Sequence, residues 1–219
     1  MAVIHRTTLK PTKLELLTDW LPTRAWYQGG GEGAELAKAG GFRLDDPEGE
    51  VGIEFMVVED SAGAHPVAYL VPLTYRAAPL DGAEAALIGT MEHGVLGRRW
   101  VYDGCQDPVL TAELAALIDG RAEAQAQSTS HTRDQEVTAV RATAGPLPGG
   151  FAAAADTGRD TRLSAPDGTT LRLLRIVTPA PDGRPVPPPS AIGHVAGGWD
   201  LPDGTRAHGL FATVHPARG

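Results

Sequence analysis

The sequence predicts an α+β fold dominated by antiparallel sheet, and three observations carry that prediction. Strand-length apolar runs follow one another as far as Asp103 with only turn signals between them, so no crossover helix is available to make neighbouring strands parallel. Only two stretches have helical periodicity, one opening at Thr12 and one at Asp107. Three Pro-Asp-Gly triplets, at Pro166, Pro181 and Pro202, supply the turn chemistry of hairpins to the last third of the chain.

The elements follow in order. Ala2 to Leu9 reads as a strand, with Val3 and Ile4 ahead of Arg6, Thr7 and Thr8. Thr12-Lys13-Leu14-Glu15 has the spacing of a capping box, in which the threonine hydroxyl accepts from the Glu15 amide and the carboxylate reaches back. Leu14, Leu17 and Leu21 then recur at helical spacing, widened by Leu16 and Trp20, until Pro22 stops the helix. A helix of two to three turns is unstable alone and must dock on a neighbour. Its partner is the sheet implied by Phe42 to Asp45, Val51 to Glu59, Val67 to Ala77, Ala86 to Glu92 and Arg98 to Asp103. Asp107 and Pro108 form an N-cap and first-turn pair. Leu110, Leu114, Leu117 and Ile118 follow as one apolar stripe, and Gly120 is the stop.

Residues 121–135 are rich in Ala, Gln, Ser and Thr without apolar periodicity and read as a linker. Glu136 to Thr143 is strand-like. Pro166-Asp167-Gly168 joins Thr161–Ser164 to Thr169–Val177, and Pro202-Asp203-Gly204 joins Gly193–Trp199 to Arg206–Val214, which gives two hairpins in a β-rich second unit. Pro185 to Pro189 is an extended connector.

Composition excludes several functions. Of 219 residues 42% are hydrophobic, enough to bury a core. The net charge of -8 is uneven: residues 1–120 hold 9 basic and 18 acidic side chains, and residues 121–219 hold 10 and 9. Nucleic-acid binding needs clustered positive charge, and this distribution argues against it. Only three basic residues are lysine, Lys10, Lys13 and Lys38, so the last 181 residues contain none. One cysteine, Cys105, rules out an internal disulfide and fits a reducing compartment. The first residues lack a signal-peptide core, and the longest apolar run, Pro66 to Leu73, is far short of the ~20 residues of a membrane helix. A soluble, cytoplasmic protein without membrane contact is the expectation.

Chemical motifs are sparse. Gly29-Gly30-Gly31-Glu32-Gly33 lacks the Gly-Lys pair of a Walker loop and the preceding strand of a dinucleotide fingerprint, so it reads as a surface loop. None of His5, His65, His93, His131, His194, His208 and His215 is followed two residues later by Asp, as a kinase catalytic loop requires. No histidine pair has metal-ligand spacing, and Cys105 has no second cysteine and no evident base, so it reads as an inert turn residue. Asp45, Asp46, Glu48 and Glu50 flank a turn as a solvated rim. No catalytic, cofactor-binding or metal residue is assigned. The segment Gly97-Arg98-Arg99-Trp100-Val101-Tyr102-Asp103 stands out. In a strand Trp100 and Tyr102 share one face while Arg99, Val101 and Asp103 share the other. Arg98, Arg99, Trp100 and Tyr102 are the candidate partner-binding residues, because arginine and aromatic side chains anchor interfaces.

A family resemblance joins these features. The opening Ala2-Val3-Ile4-His5-Arg6-Thr7-Thr8-Leu9 with Pro11-Thr12-Lys13-Leu14, then Glu50-Val51-Gly52-Ile53-Glu54 and Val71-Pro72-Leu73-Thr74-Tyr75-Arg76, resembles the N-terminal cap of bacterial maltokinases. Leu87-Ile88-Gly89-Thr90-Met91-Glu92-His93, running on through Gly97 to Asp103, resembles it too, so the likeness covers about residues 1–118. Those kinases phosphorylate maltose with ATP on a trehalose-to-glycogen route and carry an aminoglycoside-phosphotransferase-like core. The resemblance implies a cystatin-like curved antiparallel sheet with a packed helix. Residues 136–219 are similar, more weakly, to the start of a kinase N-lobe. There Leu171-Arg172-Leu173-Leu174-Arg175 falls where the family has its lysine-bearing strand, with Arg172 near the lysine's place. The chain ends at Gly219, where a hinge to the catalytic lobe would begin, so no family catalytic residue carries over.

The expected organisation is therefore a maltokinase cap-like domain at 1–118, a linker at 119–135 and a degenerate, mainly antiparallel β kinase N-lobe-like unit at 136–219. The expected function is that of a non-catalytic, stand-alone pseudokinase fragment, without cofactor, that binds or regulates a sugar kinase or a glucan-metabolism enzyme. Homo-oligomerisation is the accompanying expectation. The alternative is half of a split sugar kinase, or a nucleotide or sugar sensor.

Overall fold

The capping box of the first helix forms as its spacing requires. In the computed structural model, which describes residues 9–30, 33–129 and 131–217, α1 (Lys13–Trp20) opens with the Glu15 amide donating to Thr12 Oγ1 at 3.2 Å. The Thr12 amide donates to Glu15 Oε2 at 2.6 Å. Pro22 closes the helix inside a short 3-10 turn, Leu21–Thr23. The strand expected at Ala2 to Leu9 lies, up to residue 8, outside the described residues. Leu9–Lys10, β1, pairs with a later strand.

Five antiparallel strands come next: β2 (Leu36–Asp45), β3 (Gly52–Asp60), β4 (Val67–Arg76), β5 (Leu87–His93) and β6 (Gly97–Asp103). β2 begins six residues before the expected Phe42, because the ladder shifts register at Ala39 and Gly40 and Gly41 pair with Val57 and Met56 rather than forming a loop. Gly41 has φ +120°, and a Cβ there would stand 1.9 Å from the Phe55 carbonyl oxygen, so only glycine fits. Then α2 (Pro108–Ile118) starts where Asp107 accepts from the Val109 amide at 3.0 Å and ends before Gly120 at φ +72°.

The second half has seven strands and one short 3-10 turn, Pro181–Gly183, among its described residues: β7 (Gln125–Ala126), β8 (Thr138–Arg141), β9 (Ala152–Asp156), β10 (Asp160–Ser164), β11 (Thr170–Leu174), β12 (Gly193–Asp200) and β13 (Arg206–His215). Both expected hairpins form, β10–β11 and β12–β13. The segment read as a linker is stitched down by β7, which pairs with β2. β9 escaped notice because four alanines carry little strand propensity.

All pairings are antiparallel in one sheet of order β1-β5-β6-β4-β3-β2-β12-β13-β11-β10-β9, with β7 beside β2 and β8 beside β12. The halves join where Trp199 pairs with Gly40. They join again beyond β11, where Leu70 N donates to Arg175 O at 2.9 Å and Val177 N to Ala68 O at 3.0 Å. These bonds return the chain to β4, so β4, β3, β2, β12, β13 and β11 form a closed ring. Phe42, Phe55, Trp199 and Phe211 stack within it beside Leu70, Leu171 and Val195. Leu110, Leu114 and Leu117 of α2 belong to the same core. On the other face of β3 and β4, Leu17, Trp20, Leu21 and Trp26 pack against Met56, Val58, Tyr69 and Val71. The fold is thus α+β and mainly β, with α1 and α2 on opposite faces of the sheet.

Candidate functional site

The β5–β6 hairpin carries the residues that the sequence singled out, and strand alternation divides them. Tyr102 is buried with Ala83 and Ala86 under Leu80 and Trp100, and its hydroxyl accepts from the Leu80 amide at 2.9 Å. Val101 enters the core on the α1 side, the side to which alternation assigns Arg99. Trp100 and Arg99 are each half-buried. Arg98 is exposed and pairs with Glu92 across the hairpin at 2.9 Å. The hairpin tip adds Val95 and Leu96, 61% and 46% exposed. His93 Nδ1 accepts from both of their amides, which fixes the turn. The surface available to a partner is therefore Arg98, Trp100 and the apolar tip, while Tyr102 holds the hairpin to the body. Sequence reasoning passed over the tip, although Val95-Leu96 between Gly94 and Gly97 was its signal.

The arginines of β11 and its end are both engaged. Arg172 donates from Nη2 to Asp160 Oδ2, and Arg162 donates to the same carboxylate from Nε at 3.2 Å. Burial pushes the Asp160 carboxyl up, but these guanidinium bonds bring it below the ordinary value. Arg175 is fully buried. It donates from Nη2 to Asp103 Oδ2 at 2.5 Å and from Nε to Thr161 Oγ1 at 2.7 Å, and its guanidinium lies 5.0 Å from the Trp26 ring centroid. This one side chain ties β6, β10 and the α1 layer together.

Other groups settle into structural roles. Cys105 is buried, and burial pushes its thiol far above the ordinary value, which leaves it a poor nucleophile. Asp46 is buried rather than solvated and accepts from the amides of Glu48, Glu50 and Val51, so this carboxylate builds the turn that the sequence placed on an acidic rim. His208 Nε2 lies 3.4 Å from Glu136 Oε1, and His215 sits between Ser190 and Thr213. Among the described residues no group of three or more His, Cys, Asp or Glu side chains could hold a metal ion. None of their helices is long and apolar enough to cross a membrane.

A groove of about 600 Å³ opens on the side of β11 and β13 away from the ring. Leu174, Ile176 and Leu210 line its sheet side, and Pro181, Pro185 and Val186 line the other. Val186 is 78% exposed. The proline-rich connector between β11 and β12 builds this wall, and its run of prolines was the only signal in the sequence.

Comparison with known families places the first half of this architecture. The maltokinase N-terminal cap domain matches residues 20–107, from the end of α1 through β2–β6 to the N-cap of α2. No curated protein matches the chain. The matched stretch covers less than half of the chain and lies within the region whose motifs carry the resemblance, so the similarity to the maltokinase N-terminal cap domain is that of residues 20–107.

Proposed function

We propose that the chain is a non-catalytic binding or regulatory partner in sugar-kinase or trehalose and glycogen metabolism, working in the cytoplasm. The observation that carries this reading is the state of the two arginines around β11. In a protein kinase the third strand of the N-lobe presents a lysine to the nucleotide phosphates. Here the corresponding strand has Arg172 engaged by Asp160 and is followed by Arg175, sealed against Asp103. A guanidinium committed to a carboxylate of its own fold is not available to grip a triphosphate. The cap-like domain supplies the link to maltokinases, and the β5–β6 hairpin supplies exposed arginine, tryptophan and aliphatic side chains of the kind that anchor interfaces.

The test is affinity capture with the tagged chain, wild type against a Val95→Ser, Leu96→Ser, Arg98→Glu variant. Recovery of an identified sugar kinase or glucan enzyme by wild type alone is the expected result. Equal recovery by both proteins, or of unrelated proteins only, overturns the reading.

A second reading, half of a split kinase or a nucleotide sensor, is favoured by one feature. The last five long strands run β9-β10-β11-β13-β12 across the sheet, so the lysine-equivalent strand is third of five, as a kinase lobe requires. Calorimetry with ATP and magnesium separates the two. Saturable heat supports the split-kinase or sensor reading, and a flat titration removes it.

A further inference from the structure

The connector between β11 and β12 is longer than its path requires. Both of its ends are tied to β13: Ala180 N donates to His208 O at 2.7 Å, and Ile192 N donates to Val214 O at 2.8 Å. Those two anchors are six residues apart on one strand, about 20 Å, a span that about six extended residues cover. The chain takes twelve steps from Ala180 to Ile192 instead. Part of the excess forms the 3-10 turn Pro181–Gly183, and the rest is Arg184-Pro185-Val186-Pro187-Pro188-Pro189-Ser190.

Residue types fix the shape of this run. Four of the six residues from 184 to 189 are prolines, which hold φ near −65°, and four of the six precede a proline, which pushes them toward extended ψ. The X-Pro bonds here are trans, and Arg184 is extended at φ −113°, ψ 101°. The outcome is a polyproline II strand. Among the described residues, Pro185, Val186 and Pro187 take part in no backbone hydrogen bond. Their carbonyl groups are left for solvent or for a partner's donors.

A connector that served only as a wall of the groove would be apolar inward and polar outward. This one is apolar outward as well. Val186 is 78% exposed, more than any other large hydrophobic side chain among the described residues, and Pro188 and Pro189 are exposed beside it. With three residues per turn, Val186 and Pro189 share one ridge, and Pro185 and Pro188 share the next. The groove of about 600 Å³ beneath the connector is lined by Pro185 and Val186, which leaves room beside both ridges. The two ends of the run differ. Asp182 and Arg184 precede it, both exposed and in no ion pair among the described residues, whereas Ser190 follows it, with Oγ 3.2 Å from His215 Nδ1. One charged end and one neutral end give the strand a direction. Its freedom is restricted before any contact, so a partner has little left to order when it binds. Proline-rich strands of this kind dock in grooves lined by aromatic side chains.

We propose that residues 184–189 are a preformed polyproline II ligand for a second protein that carries an aromatic-lined, proline-binding groove. This surface belongs to the second half of the chain and goes beyond the hairpin reading above.

Peptide displacement tests it. The whole tagged chain captures protein from a lysate of its source cells, and a synthetic peptide of residues 183–190 elutes what is held by the connector. The expected result is release of a protein by this peptide and not by a peptide with Pro185→Ala and Pro188→Ala. That protein is identified, purified and titrated. The peptide contains no aromatic residue, so the saturable change in intrinsic fluorescence that follows its addition comes from the partner's own tryptophan or tyrosine. Val186→Ser and Pro188→Ala in the whole chain each weaken binding by about tenfold or more, and the hairpin variant Val95→Ser, Leu96→Ser, Arg98→Glu leaves it unchanged. Both connector positions are exposed, so these variants keep the wild-type melting transition. Release of no protein by the peptide, binding without a fluorescence change, or equal binding by wild type and Pro188→Ala overturns the proposal. Capture that is lost in the hairpin variant and insensitive to the peptide supports the hairpin reading alone and overturns this one.

Discussion

Two buried carboxylates, Asp103 and Glu54, each meet a cationic side chain, and the contrast between them separates an enclosed ion pair from one that reaches solvent. At Asp103 one guanidinium faces one carboxylate. Arg175 is wholly enclosed, and its neighbours Thr161 and Trp26 come from opposite halves of the chain. One nitrogen, Nη1, lacks a partner, but no path to solvent leads to it and the charges balance. At Glu54, which is buried on the α1 side of β3, Oε2 accepts from Lys13 Nζ at 2.5 Å and from the Tyr75 hydroxyl at 2.6 Å. Its Oε1 accepts from Gln127 Nε2 at 3.1 Å, and Lys13 keeps 29% of its side chain exposed. A sealed pair is out of reach of water and salt, whereas a pair open on its lysine side is partly screened. That difference orders the experiments below.

The largest effect belongs to the sealed pair. Arg175→Met removes the partner of a buried carboxylate and the bond to Thr161, and destabilises the protein by about 3–5 kcal/mol in denaturant titrations. Because Arg175 bridges β6, β10 and the α1 layer, both halves unfold in the same transition. The double variant Arg175→Met, Asp103→Leu loses less than the two single losses combined, since no uncompensated charge remains. An additive double variant would show that the two groups do not act as a pair.

At the open centre, Glu54→Gln costs about 1.5–3 kcal/mol at pH 7, the range for hydrogen bonds to a charged group. The loss depends on pH, and its sign follows from the depressed carboxyl. A folded-state pKa below the ordinary 4.5 means that the stability contributed by Glu54 is full above that value and disappears as pH falls through the lower one. Wild type therefore loses stability more steeply than Glu54→Gln below about pH 4.5, and the two curves converge in acid. Parallel curves would place the charge of Glu54 outside the stability balance.

How much of this contrast was legible in the sequence depends on distance along the chain. Local signals read out well: the Thr12–Glu15 box, the Asp107 cap, the β10–β11 and β12–β13 turns and the strands from β3 to β6 all depend on residues within a few positions of one another. The two ionic centres depend on pairs 72 and 41 residues apart, Arg175 with Asp103 and Lys13 with Glu54, which no local pattern encodes. The ring closure was hidden for the same reason, since the return of residues 175–177 to β4 involves backbone bonds that carry no side-chain signature. Two compositional oddities do coincide with these centres. All three lysines lie within the first 38 residues, where one of them meets Glu54, and β11 carries arginine and no lysine.

A smaller effect tests whether α1 positions Lys13. Thr12→Ala removes one side of the capping box and costs about 1 kcal/mol. The consequence is local, because fraying the first turn loosens Lys13, the first residue of α1, without touching Arg175. Hydrogen exchange rises in α1 while the amides of β10 and β11 stay protected. A uniform rise across both halves would mean that the two ionic centres share one unfolding unit and that the contrast between them is not energetic.

The smallest effect is expected at the hairpin. Arg98 and Glu92 are 63% and 59% exposed, so solvent screens the pair and Arg98→Ala changes stability by no more than about 1 kcal/mol. Nothing else in the fold relies on that guanidinium, whereas Arg175 is required by three layers and Arg43 by the Ala126 carbonyl. The described residues thus include arginines that hold structure, three of which (Arg43, Arg172 and Arg175) keep one buried nitrogen without a partner, and an arginine left at the surface. If the surface arginine serves a partner, Arg98→Ala weakens capture of that partner while leaving the melting transition where it was. A variant that lost stability in step with capture would return Arg98 to the structural group and remove the hairpin from the list of candidate interfaces.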